Sequence, residues 1–283
     1  MIDFPEIKRL TEDEFKLFAK LIYDESGIFL KETKITLLSN RLRKRLYALK
    51  LDTFTQYYEY INGLADKRKE IESLIDVVST NETYFFRNER QFEALTKQCL
   101  VDIAGQKKDE KRLRIWSAGC STGEEPYTLA ICVLENQHLF PNWNIEIIAT
   151  DIAPSVLEFA HKGSYSGRRI EKVPPDILKK YFTNNADNRE LYEVNSEVKK
   201  YVTFQYLNLF SNPYPENLDI IFCRNVMIYF DKEHQKRLIA GFHRVLLKTG
   251  YLFIGHSETL HSISDDFSYV KILDSPVYLP KRS

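Results

Sequence analysis

Leu113-Arg114-Ile115-Trp116-Ser117-Ala118-Gly119-Cys120-Ser121-Thr122-Gly123-Glu124-Glu125-Pro126-Tyr127 is the stretch that decides the fold. Its apolar start reads as a buried strand, Gly119–Gly123 as a turn, and Glu124 onward as a helix entered near a proline. In open α/β sheets such a strand-to-helix turn binds nucleotide-like groups, because N–H groups at the start of the helix have no partner within it. A phosphate does not suit this turn. A P-loop needs GxxxxGK[ST], whereas Gly119 and Gly123 are four apart and Glu124 stands where the lysine should be. Carboxylates suit the positive end of a helix dipole but repel a phosphate. The turn therefore predicts a nucleoside cofactor that carries positive charge.

Working outward, short apolar runs alternate with helical stretches: Leu113–Ser117, Ile145–Thr150, Val202–Leu207, Leu218–Cys223 and Tyr251–Ile254 read as strands. Helices are expected from about Glu124 to Leu139 and from about Lys232 to Leu247, the second stopping at Lys248-Thr249-Gly250. This rhythm predicts an α/β fold with a doubly wound, mostly parallel sheet. Tyr269–Leu273 and Val277–Leu279, joined across Asp274-Ser275-Pro276, read as an edge hairpin. Lys180–Val202, with its polar turn at Asn184–Asn188, reads as a small antiparallel β insertion. Gly105–Arg112 reads as a charged, solvated linker. Upstream, Phe15, Phe18, Leu21 and Ile22 recur at helical spacing and stop at Ser26-Gly27. Leu37 to Leu49, Phe54 to Ile61 and Ile71 to Val78 form three further stripes. The expected division is an all-helical N-terminal domain over 1–90 and a cofactor-binding catalytic domain over 91–283.

The 40 basic and 40 acidic residues among 283 balance, so no global charge draws the chain to nucleic acid or to a membrane. Cys99, Cys120, Cys132 and Cys223 are scattered without a CxxC pair, as reduced buried thiols would be. The start, Met-Ile-Asp-Phe-Pro-Glu, lacks the pattern of a signal peptide, and no apolar run approaches the ~20 residues of a membrane span. A cytoplasmic protein is expected, with no metal: His256-Ser-Glu-Thr-Leu-His261 is not HExxH. Asn212-Pro213-Tyr214 echoes the NPPY signature of amino-group methyltransferases but precedes the fourth strand, and is set aside.

Several residues are candidates for the site. Asp151, at the carboxyl end of the second strand, can accept both ribose hydroxyls; the alternative is a helix cap before Ile-Ala-Pro-Ser. Asn208 can bond an adenine edge with Leu209 on the ring, or simply form a turn. Arg224-Asn225 lie beyond the end of a strand, where open sheets place ligands. Tyr229 shares their face if a helix has begun there, and is otherwise half-buried core. Thr80-Asn81-Glu82-Thr83-Tyr84-Phe85-Phe86-Arg87 joins the two domains, and junctions between domains are preferred ligand sites. Its arginine suits a carboxylate, or is a surface residue in a packing segment. Lys34, Arg41, Arg43, Lys44, Arg45 and Lys50 lie on one helix with no acid between Lys34 and Lys50; the run reads as a solvated face or, being unbalanced in a neutral chain, as a surface for an acidic protein or for nucleic acid. S-adenosylmethionine, with its sulfonium and ammonium groups, fits the acidic turn.

These segments together resemble the chemotaxis receptor methyltransferase family, CheR-type, over nearly the whole chain. Gly27-Ile28 followed by Leu37–Leu46, with its RLRKRL, resembles the family's helical domain. Thr80–Arg87 with Phe92 resembles its joining motif. Trp116–Tyr127, Ala149–Ile152, Phe222-Cys-Arg-Asn-Val-Met-Ile-Tyr-Phe-Asp231 and Gly255-His-Ser-Glu258 resemble its cofactor-domain signatures. The resemblance implies a Rossmann-like methyltransferase sheet and transfer of a methyl group from S-adenosylmethionine to receptor glutamates, leaving S-adenosylhomocysteine. It assigns Asn81, Thr83, Arg87, Glu125, Asp151, Asn208, Leu209, Arg224 and Asn225 to the cofactor, with Glu124 an alternative to Glu125. It places Arg87 and Tyr229 near the transferred methyl group as the catalytic pair. The partner it implies is the cytoplasmic helical domain of chemoreceptors, met through the basic helix 34–50, without nucleic acid or direct membrane insertion. In some members the insertion docks a receptor tail peptide and has glycines in its turn. Here the turn reads Asn-Asn-Ala-Asp-Asn-Arg, which counts against tethering. A nucleic-acid methyltransferase and a non-catalytic S-adenosylmethionine-binding signalling module are the rival readings.

Overall fold

The computed structural model describes residues 9–185, 188–210 and 213–281. The chain's first residues, the tip of the insertion's polar turn at 186–187, and Asn212 lie outside the described residues. Four helices open the chain: α1 (Glu12–Ser26), α2 (Ile35–Leu49), α3 (Phe54–Gly63) and α4 (Arg68–Val78). Capping boxes start two of them, Thr11 with Glu14 and Thr53 with Gln56, so the orphan N–H groups of each first turn are satisfied locally. Their apolar stripes (Phe15, Phe18 and Ile22 on α1; Leu38, Leu42 and Leu46 on α2; Tyr57, Ile61 and Leu74 beside them) bury one another in a core of their own.

After an extended linker, α5 (Glu89–Ala94) and α6 (Leu100–Gln106) are joined through a π-helical turn and lead into the sheet domain. Its elements are β1 (Arg112–Ala118), α7 (Glu124–Glu135), β2 (Asn144–Asp151), α8 (Pro154–Lys162), β3 (Ser164–Tyr165), α9 (Pro175–Tyr181), β4 (Phe182–Asn184), β5 (Tyr192–Val194), α10 (Ser196–Lys199), β6 (Val202–Tyr206), β7 (Leu218–Cys223), α11 (Lys232–Val245), β8 (Leu246–Ile254), β9 (Phe267–Ile272) and β10 (Ser275–Pro280). The main sheet has the order β6-β2-β1-β7-β8-β10-β9. Its first five strands are parallel, and β10 runs antiparallel to both of its neighbours. The chain winds outward from β1 through β2 to β6 and then returns to β7 on the other side of β1. That reversal between β1 and β7 creates the crevice in which such sheets bind ligands. Burial follows from position: every residue of β7, which has a strand on each side and helices on both faces, is buried.

The doubly wound sheet, the helical N-terminal part and the edge hairpin match the expectations from sequence, and four details differ. The insertion is a three-stranded sheet, β3-β5-β4, whose outer strand Ser164–Tyr165 lies well upstream of Lys180. The strand after α11 begins at Leu246, so Lys248-Thr249-Gly250 falls inside β8 at an irregularity in its register with β7 rather than ending the helix. The helix from Glu124 ends at Glu135, with a short 3-10 turn continuing to Leu139. The stretch 105–112 is not simply a solvated linker. Lys107 is buried, and its Nζ lies 2.9 Å from Asp219 Oδ1, while Asp219 Oδ2 accepts the N–H of Arg114 at 2.8 Å. Tyr214, from the Asn-Pro-Tyr echo, packs on Trp116 in the core. No described helix is long and apolar enough to cross a membrane.

Candidate functional site

A cavity of about 950 Å³ opens at the carboxyl ends of β1, β2, β6 and β7, with α1, α2 and the interdomain linker forming its far wall. Asn81, Thr83, Arg87, Glu125, Asp151, Asn208, Leu209, Arg224, Asn225 and Tyr229 all line it. The topology brings them together from five separate parts of the chain.

The turn after β1 is shaped by close approach. Gly119 has φ +81°, and a Cβ there would lie 2.5 Å from Val226 Cγ2. Only glycine fits both constraints. The N–H groups of Gly119 and Cys120 donate to Thr150 O at 2.8 and 2.9 Å, tying the turn to β2. The two glutamates that follow differ in role. Glu124 is fully buried away from the cavity in an ion pair with Arg169, and Thr122 bonds to both. Glu125 faces the cavity, accepting from Ser117 Oγ at 2.7 Å and from Arg224 Nε at 2.6 Å. Both carboxylates are thus neutralised by arginines. The acidic helix start does not by itself leave negative charge facing a ligand.

Asp151 does supply negative charge. It is buried, and its carboxylate accepts the N–H groups of Ser121 at 2.8 Å and Ala153 at 3.0 Å. Burial raises its pKa, as does the Asp76 carboxylate, against the opposing pull of those N–H groups. It therefore organises the turn before α8 and lines the cavity as well. Arg224 is a hub. Beyond Glu125, its guanidinium donates to Arg87 O at 2.6 Å and Gln91 Oε1 at 2.9 Å, and lies over the rings of Phe92 and Phe222. Asn225 adopts φ +59°, and its Oδ1 is buried with no hydrogen-bond partner among the described residues. Asn208 fastens the helical domain: its Nδ2 donates to Glu25 O at 2.7 Å and its Oδ1 accepts Phe210 N at 3.0 Å. Leu209 is buried beside it. Arg87, part-exposed, donates to Glu82 O at 2.9 Å and lies over the Tyr84 ring. Tyr229 sits in a 3-10 turn, Met227–Tyr229, because the helix begins only at Lys232; its carbonyl accepts Phe29 N at 2.8 Å.

These features fit a nucleoside bearing an amino acid. The cavity is of ligand size, and Asn225 on its wall carries an acceptor, the buried Oδ1, that no described residue satisfies. Asp151 can accept hydroxyls, and Arg87 can hold a carboxylate. Among the described residues, no cluster of His, Cys, Asp and Glu could hold a metal ion.

The basic helix is less free than its sequence suggests. Arg45 makes two bonds to Glu70 (Nε to Oε1, 3.0 Å; Nη2 to Oε2, 2.7 Å), and Arg41 turns to Val78 O and Thr80 at the cavity. Lys34, Lys44 and Lys50 remain exposed. Sequence reading assigns no role of their own to Gln91, Ser117 and Glu258. Gln91 joins Arg224 to Ile254 O across the chain, and no local motif announces such bonds. Ser117 and Glu258 lie inside quoted motifs, which do not show that they bond Glu125 and the turn after β7.

Two family models match the chain: the CheR methyltransferase all-alpha domain over residues 13–79 and the CheR methyltransferase SAM binding domain over 81–274. A chemotaxis protein methyltransferase of Borreliella burgdorferi is 40% identical over 258 residues, 89% of each chain. A chemotaxis protein methyltransferase 2 of Vibrio cholerae is 34% identical over 272 residues, covering 95% of this chain and 93% of that one. A third, from Salmonella typhimurium, is 36% identical over 263 residues, covering 92% and 88%. With its all-alpha domain packed against a SAM-binding sheet and a cavity between them, this chain belongs to the CheR methyltransferase family.

Proposed function

We propose that this methyltransferase forms methyl esters on glutamate side chains of chemoreceptors, in the cytoplasm, as part of chemotactic adaptation. The observation that carries the glutamate reading is the set of cations that line the cavity. Lys31, Lys34, Arg41, Arg87 and Lys232 line it beside the exposed apolar side chains of Phe29, Leu37 and Ile228, against the carboxylates of Glu82 and Asp231. Such a lining favours an acidic, amphipathic helix over a neutral acceptor. The relatives' role in chemotaxis supports a receptor as that helix's source.

In this reading Asp151 and Asn208 hold the nucleoside, Leu209 packs on its base, and Asn225 with Asn81 and Thr83 receives the amino-acid end. Glu125 and Arg224 act as a neutral buried pair that fixes the walls. Arg87 orients the acceptor carboxylate, and Tyr229 borders the space where methyl donor and acceptor meet. S-adenosylmethionine, when bound, supplies a methyl on sulfonium; the acceptor oxygen takes that methyl as the carbon–sulfur electron pair returns to sulfur, and no proton moves. A glutamate side chain in water, with a pKa of roughly 4.3, is already ionised near neutral pH, so the site needs no general base. Cys120 is no candidate for one, since burial pushes its thiol far up. Positioning then does most of the work, and well-oriented reactants can recover roughly 7–11 kcal/mol of a barrier.

The test is incubation with labelled S-adenosylmethionine and cytoplasmic receptor fragments, followed by mass spectrometry. Methyl esters on receptor glutamates are expected. Label on another residue type, or none on any receptor fragment, would sink the reading.

A further inference from the structure

Opposite the cavity, the turn that follows β7 rests on a carboxylate to which the reaction scheme gives no part. Glu258 Oε2 accepts the N–H groups of Gly255 at 2.5 Å and Asn225 at 3.0 Å, and its Oε1 accepts that of Ile228 at 3.2 Å. Glu258 is half-buried, and burial raises its carboxyl above the usual range against the opposing pull of these backbone N–H groups. The charge of Glu258 is therefore spent on main-chain donors. Gly255 completes the arrangement, since a Cβ there would lie 2.6 Å from Glu258 Oε2 and 2.9 Å from Asn225 N. From the other side, Gln235 Nε2 donates to Met227 O at 2.9 Å and Phe230 O at 3.1 Å. The turn's N–H groups and carbonyls are thus held by two side chains from different elements. That turn carries Asn225, in the left-handed region, Val226, which presses on Gly119, and Tyr229.

We propose that Glu258 is a positioning residue of the methyl-transfer site, its carboxylate fixing the Asn225–Tyr229 backbone that presents Asn225 to the cofactor and Tyr229 to the acceptor. The proposal rests on the reading of Asn225 and Tyr229 given above. An isosteric amide cannot replace the carboxylate. Both oxygens face N–H groups, so whichever way the amide turns, its NH₂ meets a donor. Charge-assisted bonds to backbone N–H groups are also the stronger kind.

The experiment compares wild type, Glu258→Gln and Glu258→Asp in three measurements: amide hydrogen exchange of the ligand-free enzyme, S-adenosylmethionine affinity by calorimetry, and kcat and KM for a receptor fragment. In Glu258→Gln, exchange at 225–228 should rise while the helices of 12–78 keep wild-type rates. Cofactor affinity and kcat should each fall about tenfold or more, as expected when a buried N–H loses a charged acceptor. Glu258→Asp, which keeps the charge, should restore part of both. Wild-type exchange and affinity in Glu258→Gln would overturn the proposal, and so would a uniform rise of exchange over the whole protein. If wild type itself esterifies no receptor fragment, the glutamate reading fails alone, because exchange and cofactor affinity still judge Glu258.

Discussion

Arg87 reaches the cavity from the linker with Glu82 O and the Tyr84 ring as its side-chain partners, while its own carbonyl receives Arg224. Truncating its side chain leaves that carbonyl in place. Arg87→Ala should therefore lower kcat by about a hundredfold, the size seen when one preorganised donor is removed, with an unchanged melting temperature. Near wild-type turnover would take Arg87 out of the mechanism. Asp151 gives a pH prediction. Its folded-state pKa is raised, first by burial, so it favours folding most below its unfolded value and that contribution is lost as pH rises through the folded value. Cofactor binding through accepted hydroxyls has the opposite preference, since it needs the carboxylate. S-adenosylmethionine affinity should fall on acidification from a pH above the ordinary Asp range of roughly 3.9, and Asp151→Asn should flatten that dependence; equal slopes in both proteins would refute it. Residue types at the strand ends are enough to find Asp151, Arg224 and Asn225 in the sequence. They do not reveal the neutralisation of Glu124 by Arg169, 45 positions away, because ion-pair partners leave no periodic trace.

At the scale of elements, legibility tracks length and periodicity. The stripes of α1 to α4 and the apolar run Ile220–Cys223 of β7 announce themselves. The two-residue β3 has no pattern to read, and its place follows only from pairing with β5. The same distinction governs α2. Its unbroken run of cations suggests a single docking face, yet Arg45 is committed to Glu70, which also accepts the buried Tyr57 hydroxyl at 2.7 Å. Arg45→Glu would then damage the helical core and report nothing about a partner. Lys34→Glu with Lys44→Glu, both exposed, should leave stability within about 0.5 kcal/mol while raising the KM for receptor fragments and weakening its dependence on salt. A salt response identical to wild type would argue that the partner does not meet α2.

The whole molecule depends on how the helical part is fastened to the sheet. Asp76 of α4 accepts the N–H and hydroxyl of Ser155 at the start of α8 (3.1 and 2.7 Å), Asn208 holds Glu25 O, and the Tyr23 hydroxyl bonds Asp231 at 2.6 Å. The last bond pushes the Tyr23 hydroxyl up to about 12, and Asp231 in turn caps α11. The Asp231 carboxyl is lowered: partial burial raises it, but the His234 N–H and the Tyr23 hydroxyl outweigh that. A lowered carboxyl contributes stability above its unfolded pKa that is lost as pH falls through the folded value. Tyr23→Phe should accordingly lower the urea midpoint at neutral pH, and its gap from wild type should shrink under acid conditions; a gap independent of pH would mean that the hydroxyl bond is not what joins the two parts. The four cysteines carry a different consequence of the same packing. All are buried, and burial raises every thiol, Cys99 and Cys132 to about 12. Alkylating reagents attack thiolates, so the folded chain should be almost inert to them. Cys120, at the cavity wall within the turn after β1, is then a built-in reporter: its slow labelling times the opening of that turn, and bound cofactor should slow it further.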